Sequence, residues 1–149
     1  MSVVVTKNEK ETKDLARNLA NDILSDSEKR SSALVLALEG VLGAGKTTFT
    51  QGFAEGLNIK EPVTSPTFLI LKEYELEEGY VFKRFYHVDC YRLKDENDTK
   101  DIGLDEILKN PENLILIEWA QKIKKSLPKD IRNIKFFYIS ENKRKISIS

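Results

Sequence analysis

The chain has 149 residues, 40% hydrophobic and 32% charged, with 24 basic and 24 acidic side chains and a formal net charge of zero. That length supports one folded domain with a substantial core. The balanced charge gives no electrostatic case for a free-standing nucleic-acid binder, although Lys122, Lys124, Lys125 and Lys129, and again Lys143, Arg144 and Lys145, form local basic clusters that read first as solvated surface. A single cysteine, Cys90, excludes an internal disulfide. Met1 to Lys10 lacks the pattern of a signal peptide, and no run approaches the ~20 apolar residues of a membrane span, so the expectation is a cytoplasmic protein.

In chain order, Val3 to Val5 suits a short first strand. Asn8 followed by Glu11 resembles a capping box, and Leu15, Leu19 and Ile23 mark a helical stripe to about Leu24. Ser25 to Ser32 is polar and reads as a loop. Ala33 to Leu38 is an apolar run suited to a buried parallel strand. Lys46 to Leu57 reads as a helix with Phe49, Phe53 and Leu57 on one face, closed by Gly56 or Asn58. Pro62 to Pro66 interrupts. Phe68 to Tyr74 and Tyr80 to Tyr86 read as strands of a hairpin turning at Glu75 to Gly79, with His87 to Tyr91 extended beyond it. Lys94 to Lys100 is a polar, mobile loop by composition. Asp101 to Leu108 suits a short helix stopped by Asn110-Pro111. Leu114 to Ile117 is a second buried-strand run ending at Glu118-Trp119, and Ala120 to Ser126 allows a helical turn or two. Ile134 to Ile139 and Lys145 to Ile148 close as a hairpin. The sum is an α/β sandwich with a mixed sheet.

Gly40 to Thr48 reads Gly-Val-Leu-Gly-Ala-Gly-Lys-Thr-Thr, a complete G-x-x-x-x-G-K-[ST] loop between a buried strand and an amphipathic helix. Its glycines let backbone N–H groups converge on phosphate oxygens, Lys46 reaches the β- and γ-phosphates, and the Thr47 hydroxyl suits Mg²⁺. A bare motif is weak; one set between strand and helix is not. A nucleotide hydrolase also needs an acid at the end of a neighbouring apolar strand, and Glu118 stands there. Asp89 lies in a segment of alternating polarity and reads as a second site acid or as surface. Thr64, Ser65 and Thr67 supply hydroxyls of the kind that sense a γ-phosphate in switch segments, or make an ordinary turn. The Trp119 ring suits adenine stacking, although core or edge tryptophans are commoner. His87, the only histidine, reads as structural, and Cys90 has no basic neighbour to activate it.

Taken together, Gly40 to Phe49, Val63 to Phe68, His87-Val-Asp-Cys-Tyr-Arg-Leu93, Ile102 to Glu106 and Leu116-Ile-Glu-Trp-Ala-Gln121 resemble the TsaE family, formerly YjeE, bacterial ATPases of tRNA threonylcarbamoyladenosine formation. The resemblance runs from about Asn8 to Pro128. It implies one P-loop NTPase-like ATPase domain over 1–149, a mixed, mostly parallel sheet with helices on both faces and a β-hairpin insertion. It further implies that Gly43, Ala44, Gly45, Lys46, Thr47 and Thr48 wrap the phosphates of ATP. Thr47 and Glu118 would hold Mg²⁺, and Lys46, Asp89 and Glu118 would serve hydrolysis. Trp119, Gln121 and Arg144 would lie by the nucleotide, and Thr64, Ser65 and Thr67 would form a switch-like loop. The implied partner is a two-subunit actin-like transferase of TsaD and TsaB type, which moves threonylcarbamoyl to adenosine 37 of tRNAs reading codons that begin with A. Val41 replaces the family's usual aspartate, Cys90 its leucine and Ala120 its frequent proline.

Two rivals follow from the residues alone. A small P-loop nucleotide or nucleoside kinase shares the loop but needs an arginine-rich lid, and no arginine lies between Lys94 and Pro128. A nucleotide-gated scaffold needs only binding. A GTPase fits less well, since no Asn-Lys-x-Asp motif occurs.

Overall fold

The computed structural model describes residues 2–26, 28–41, 43–63, 71–94 and 102–149. The elements are β1 (Ser2–Thr6), α1 (Glu9–Ser25), β2 (Leu34–Glu39), α2 (Lys46–Gly56), β3 (Leu71–Glu75), β4 (Arg84–Asp89), α3 (Leu104–Lys109), β5 (Asn113–Glu118), a 3₁₀ helix (Ala120–Ser126), β6 (Arg132–Tyr138) and β7 (Arg144–Ile148). They build one sheet in the order β1-β7-β6-β2-β5-β4-β3. β6, β2, β5 and β4 are parallel neighbours, while β3 and β7 run against theirs. The mixed sheet expected from the sequence forms, with parallel pairings at its centre and antiparallel ones toward both edges.

The apolar runs explain the layering. β2 and β5 carry almost nothing polar, as suits parallel strands covered on both faces. Leu34, Leu36, Leu38, Leu114 and Leu116 pack with Phe49 and Phe53 of α2 and Ala16 and Ala20 of α1. Val35, Ala37, Ile115 and Ile117 face the other way, onto Leu104 and Leu108 of α3 and Ile123 of the 3₁₀ helix. Among the described residues no helix is long and apolar enough to cross a membrane.

The start of α1 departs slightly from a capping box. Asn8 Oδ1 accepts from the Glu11 amide at 2.8 Å as expected, but the Glu11 carboxylate reaches back to the amide of Lys7 at 3.0 Å, one residue earlier than Asn8. The second hairpin strand also needs correction. Tyr80 to Phe82 is not a strand: Gly79 turns the chain at φ +100°, and Phe82 and Tyr80 pack onto the core from a loop. The Lys83 amide bonds to the Glu112 carbonyl at 2.8 Å, so the ladder with β5 starts only at Arg84 opposite Asn113. The stretch that read as a loop, Lys94 to Lys100, lies outside the described residues apart from Lys94, as do residues 68–70 of the first hairpin strand.

α1 and α2 meet without room to spare. A Cβ on Gly52 would sit 2.5 Å from the Lys13 carbonyl oxygen, and one on Gly56 would sit 2.6 Å from that of Arg17. Gly52→Ala is therefore expected to force the helices apart and cost about 1–3 kcal/mol, despite alanine's better helix propensity. Urea unfolding reads this as a lower midpoint at unchanged slope. A midpoint equal to wild type would show that the helices part freely.

Candidate functional site

Because β2, β4 and β5 run in parallel, their C-terminal ends open on one side, the side where α/β sheets collect ligands. There lies a cleft of about 360 Å³, lined by the phosphate loop, the ends of β4 and β5, the start of α1 and the β6–β7 turn.

Its floor is the N-terminus of α2. Gly45 precedes the helix at φ +102°, a conformation that a side chain resists, and it has no side chain with which to cap. The first amides of α2 thus meet the cleft uncapped, an anion-binding arrangement. Thr47 and Thr48 line the cleft, and Thr47 is exposed to it. Ala44 differs: its methyl is fully buried in the core and its amide is spent on the Val41 carbonyl at 3.1 Å. Val41 is 64% exposed and does not line the cleft.

Lys46 is buried. Its amine donates to the Gly40 carbonyl at 2.6 Å and lies 3.9 Å from the centre of the Trp119 ring. Burial pushes it below the ordinary lysine value, while the carboxylates of Glu118 and Asp89 pull it back up. Those acids are direct neighbours in register at the ends of β5 and β4. They share a face with Phe85 and Leu116, the face that α2 covers. Glu118 is buried, with Oε2 held 2.7 Å from His87 Nε2. Asp89 is half-buried, and its Oδ1 accepts from the Tyr91 amide at 3.0 Å. Burial raises the Asp89 carboxyl above its ordinary 3.8 and Glu118 adds to that, while the Tyr91 hydrogen bond, His87 and Lys46 oppose it.

The walls come from distant segments. Trp119 takes a left-handed φ of +60°, lines the cleft and packs on Tyr91 with ring centres 5.1 Å apart. Strain of this kind tends to sit at functional sites. Arg144 lines the opposite wall and donates to the Gly43 carbonyl at 3.0 Å, as well as to Glu141 and Lys143 carbonyls, tying the phosphate loop to the β6–β7 turn. Gln121 is exposed on the 3₁₀ helix and does not line the cleft. Thr64, Ser65 and Thr67 lie outside the described residues. Cys90 is buried, its thiol pushed up to about 12 by burial and then by Asp89.

Sequence reasoning missed Asn8, Glu9, Thr12, Tyr91, Glu141 and Asn142, all of which line the cleft. Only the pairing of β1 with β7 and the packing of α1 on α2 bring the start of α1 here. Nothing local in residues 8–12 announces it beyond a helix cap.

The family model described as "Threonylcarbamoyl adenosine biosynthesis protein TsaE" matches residues 6–146. The chain is 46% identical over 115 residues to the tRNA threonylcarbamoyladenosine biosynthesis protein TsaE of Bacillus subtilis, a match covering 77% of this chain and 68% of that protein. It is 36% identical over 147 residues to the protein of that name from Aquifex aeolicus, covering 97% and 93%. In three dimensions it is similar to the crystal structure of YdiB from Bacillus subtilis, with a TM-score of 0.74 at 37% identity, covering 99% of this chain and 83% of that one. That likeness bears out the P-loop NTPase-like α/β architecture read from the sequence.

Proposed function

The chain belongs to the TsaE family of threonylcarbamoyladenosine biosynthesis proteins, and from that premise we propose that it binds Mg²⁺·ATP in this cleft and hydrolyses it. The hydrolysis would serve repeated turnover of a two-subunit actin-like transferase of TsaD and TsaB type acting on tRNA adenosine 37. One observation carries the reading: an uncapped helix N-terminus, a buried lysine amine and two paired carboxylates converge on one cleft.

The donors suit the ligand. Among the described residues no three His, Cys, Asp or Glu side chains form a metal cage. The cleft instead offers the Thr47 hydroxyl and the Glu118 carboxylate, the kind of partial set magnesium takes when phosphate oxygens and water supply the rest. Magnesium, when bound there, neutralises charge on the phosphate oxygens. The amides of Lys46, Thr47 and Thr48 bind the phosphates, and the Lys46 amine moves from the Gly40 carbonyl to the bridging region. Asp89, half-buried in the cleft lining with one oxygen tied to the Tyr91 amide, holds the attacking water with the other. Trp119 and Arg144 flank the nucleotide. Such catalysis is placement and charge compensation, and hydrolysis by the isolated chain is slow because a partner completes the site.

Calorimetry with ATP and with ADP, each with and without Mg²⁺, tests this on the chain alone and beside the transferase pair. Magnesium-dependent heat is expected. Its absence in every arm would sink the reading, and phosphorylation of an added nucleoside would favour a kinase instead.

Asp89→Asn separates function from stability. Hydrolysis is expected to fall by ~10²–10³. The empty protein should become more stable, because a carboxylate that burial disfavours is gone. The sign follows from linkage. With its folded-state pKa raised, Asp89 costs nothing below the ordinary 3.8, where it is protonated folded and unfolded alike. Its cost grows through the window above 3.8 and is complete once pH exceeds the raised value. The gain in Tm for Asp89→Asn should follow the same course; a gain largest in acid contradicts the assignment.

A further inference from the structure

We propose that His87 is a positioning residue: its Nε2–H holds the Glu118 carboxylate so that the other oxygen, Oε1, faces magnesium and nucleotide. The proposal rests on the nucleotide reading above and deepens it.

The contact is short and sealed. His87 Nε2 lies 2.7 Å from Glu118 Oε2, with side chains 2% and 5% exposed. Both residues sit on strands whose backbones are fixed by the sheet, His87 opposite Leu116 and so diagonal to Glu118 on the same face. The imidazole is therefore a rigid donor, and the three-torsion glutamate is the group being restrained. Polarity agrees. His87 Nδ1 is buried and has no hydrogen-bond partner among the described residues. A proton there would be a sealed, unmatched donor, whereas a bare lone pair is the cheaper loss, so the ring proton belongs on Nε2, pointing at Glu118.

A nearby competitor shows what the restraint prevents. The Lys46 amine is within electrostatic reach of both Glu118 and Asp89. An untethered Glu118 would turn onto that amine, and the resulting ion pair would withdraw a metal ligand and a phosphate ligand together. His87 occupies Oε2 and keeps the two apart. Asp89 has a matching tether, from the Tyr91 amide to Oδ1. Each acid thus has one oxygen anchored, Glu118 by a side chain of the neighbouring strand and Asp89 by the turn that follows it, and one left for the cleft. Partners of this kind, one layer behind a ligand, typically change metal affinity ~10–100-fold when removed.

The test reads Mn²⁺ affinity of the ADP-loaded protein by electron paramagnetic resonance. A glutamine amide nitrogen can stand where Nε2 stood; an asparagine reaches only the Nδ1 position. His87→Asn and His87→Phe are expected to lose ~10–100-fold in Mn²⁺ affinity, with His87→Gln recovering most of it. A role in packing alone predicts no such split. Normal affinity in a folded His87→Asn protein overturns the proposal. A second measurement needs no variant. His87 is the only histidine in the chain, so its ring nitrogens are unambiguous in a long-range ¹H–¹⁵N spectrum of the wild type. A protonated Nε2, a bare Nδ1 and a shift when Mg²⁺ is added to the ADP-loaded protein support the proposal. A proton on Nδ1, or indifference to Mg²⁺ where Mn²⁺·ADP binds normally, overturns it alone. Failure of the wild type to bind Mn²⁺·ADP at all overturns the nucleotide reading, and this proposal with it.

Discussion

Lys46→Ala should lower ATP turnover in the assembled complex by ~10²–10³ or more, because among the described residues it deletes the one lysine amine that lines the cleft, set against both acids. That amine is bonded to the Gly40 carbonyl at 2.6 Å, lies 3.9 Å from the centre of the Trp119 ring, and is shielded from water. These contacts keep it over the floor of the cleft, and the proposed move to the phosphates would exchange a neutral carbonyl for a highly charged oxygen, a gain that would grow as the transition state forms. Stability should not fall in step. Burial pushes the Lys46 amine below its ordinary value more than Glu118 and Asp89 raise it, so the charged form costs the fold something at neutral pH, and alanine removes that cost. The depressed pKa of a base gives the sign: the folded state holds fewer protons, and stability from this group improves as pH rises through the window below 10.5. The expected signature is lost hydrolysis with a Tm near wild type. Normal hydrolysis by purified Lys46→Ala protein in the full complex would refute the assignment.

The parts of this site that could be read from the sequence are those whose chemistry and local structure coincide. Gly45-Lys46-Thr47 specifies a turn, a helix start and an anion site within three residues, and Glu118 announces itself by ending an apolar strand. Asp89 is harder, since an acid in a segment of mixed polarity becomes a site residue only once β4 pairs with β5 and sets it beside Glu118. His87 was invisible as a partner for the same reason: its role lies in a diagonal across two strands that are 31 residues apart in the chain. Asn8 and Thr12 reach the cleft through the docking of α1 on two helical glycines, a constraint between helices and not within one. The hairpin strand misplaced at Tyr80 shows the converse. Aromatic residues at alternate positions indicate a strand by pattern, yet Tyr80 and Phe82 are apolar because a loop presses them onto the core.

Glu118→Gln asks whether hydrolysis or nucleotide occupancy controls assembly. The substitution keeps the volume and leaves His87 something to bond. The Nε2–H takes the amide oxygen, which turns the NH₂ group toward the cleft, where Lys46 already presents a donor. A carboxylate offered to magnesium is thereby replaced by a donor that repels it, so Mg²⁺-dependent hydrolysis should fall by ~10²–10³. The phosphate loop and the N-terminus of α2 are untouched, so ATP itself should still bind, aided by amides that do not depend on Glu118. If hydrolysis is what releases this protein from the transferase pair, the variant with ATP should elute with its partners in size-exclusion chromatography where wild type under the same conditions separates. ADP should then release both alike. If elution tracks bound nucleotide but is the same for both proteins with ATP, occupancy alone gates assembly and the protein acts as a scaffold. Wild-type hydrolysis by Glu118→Gln removes Glu118 from the chemistry, because no other carboxylate among the described cleft residues is in register with Asp89.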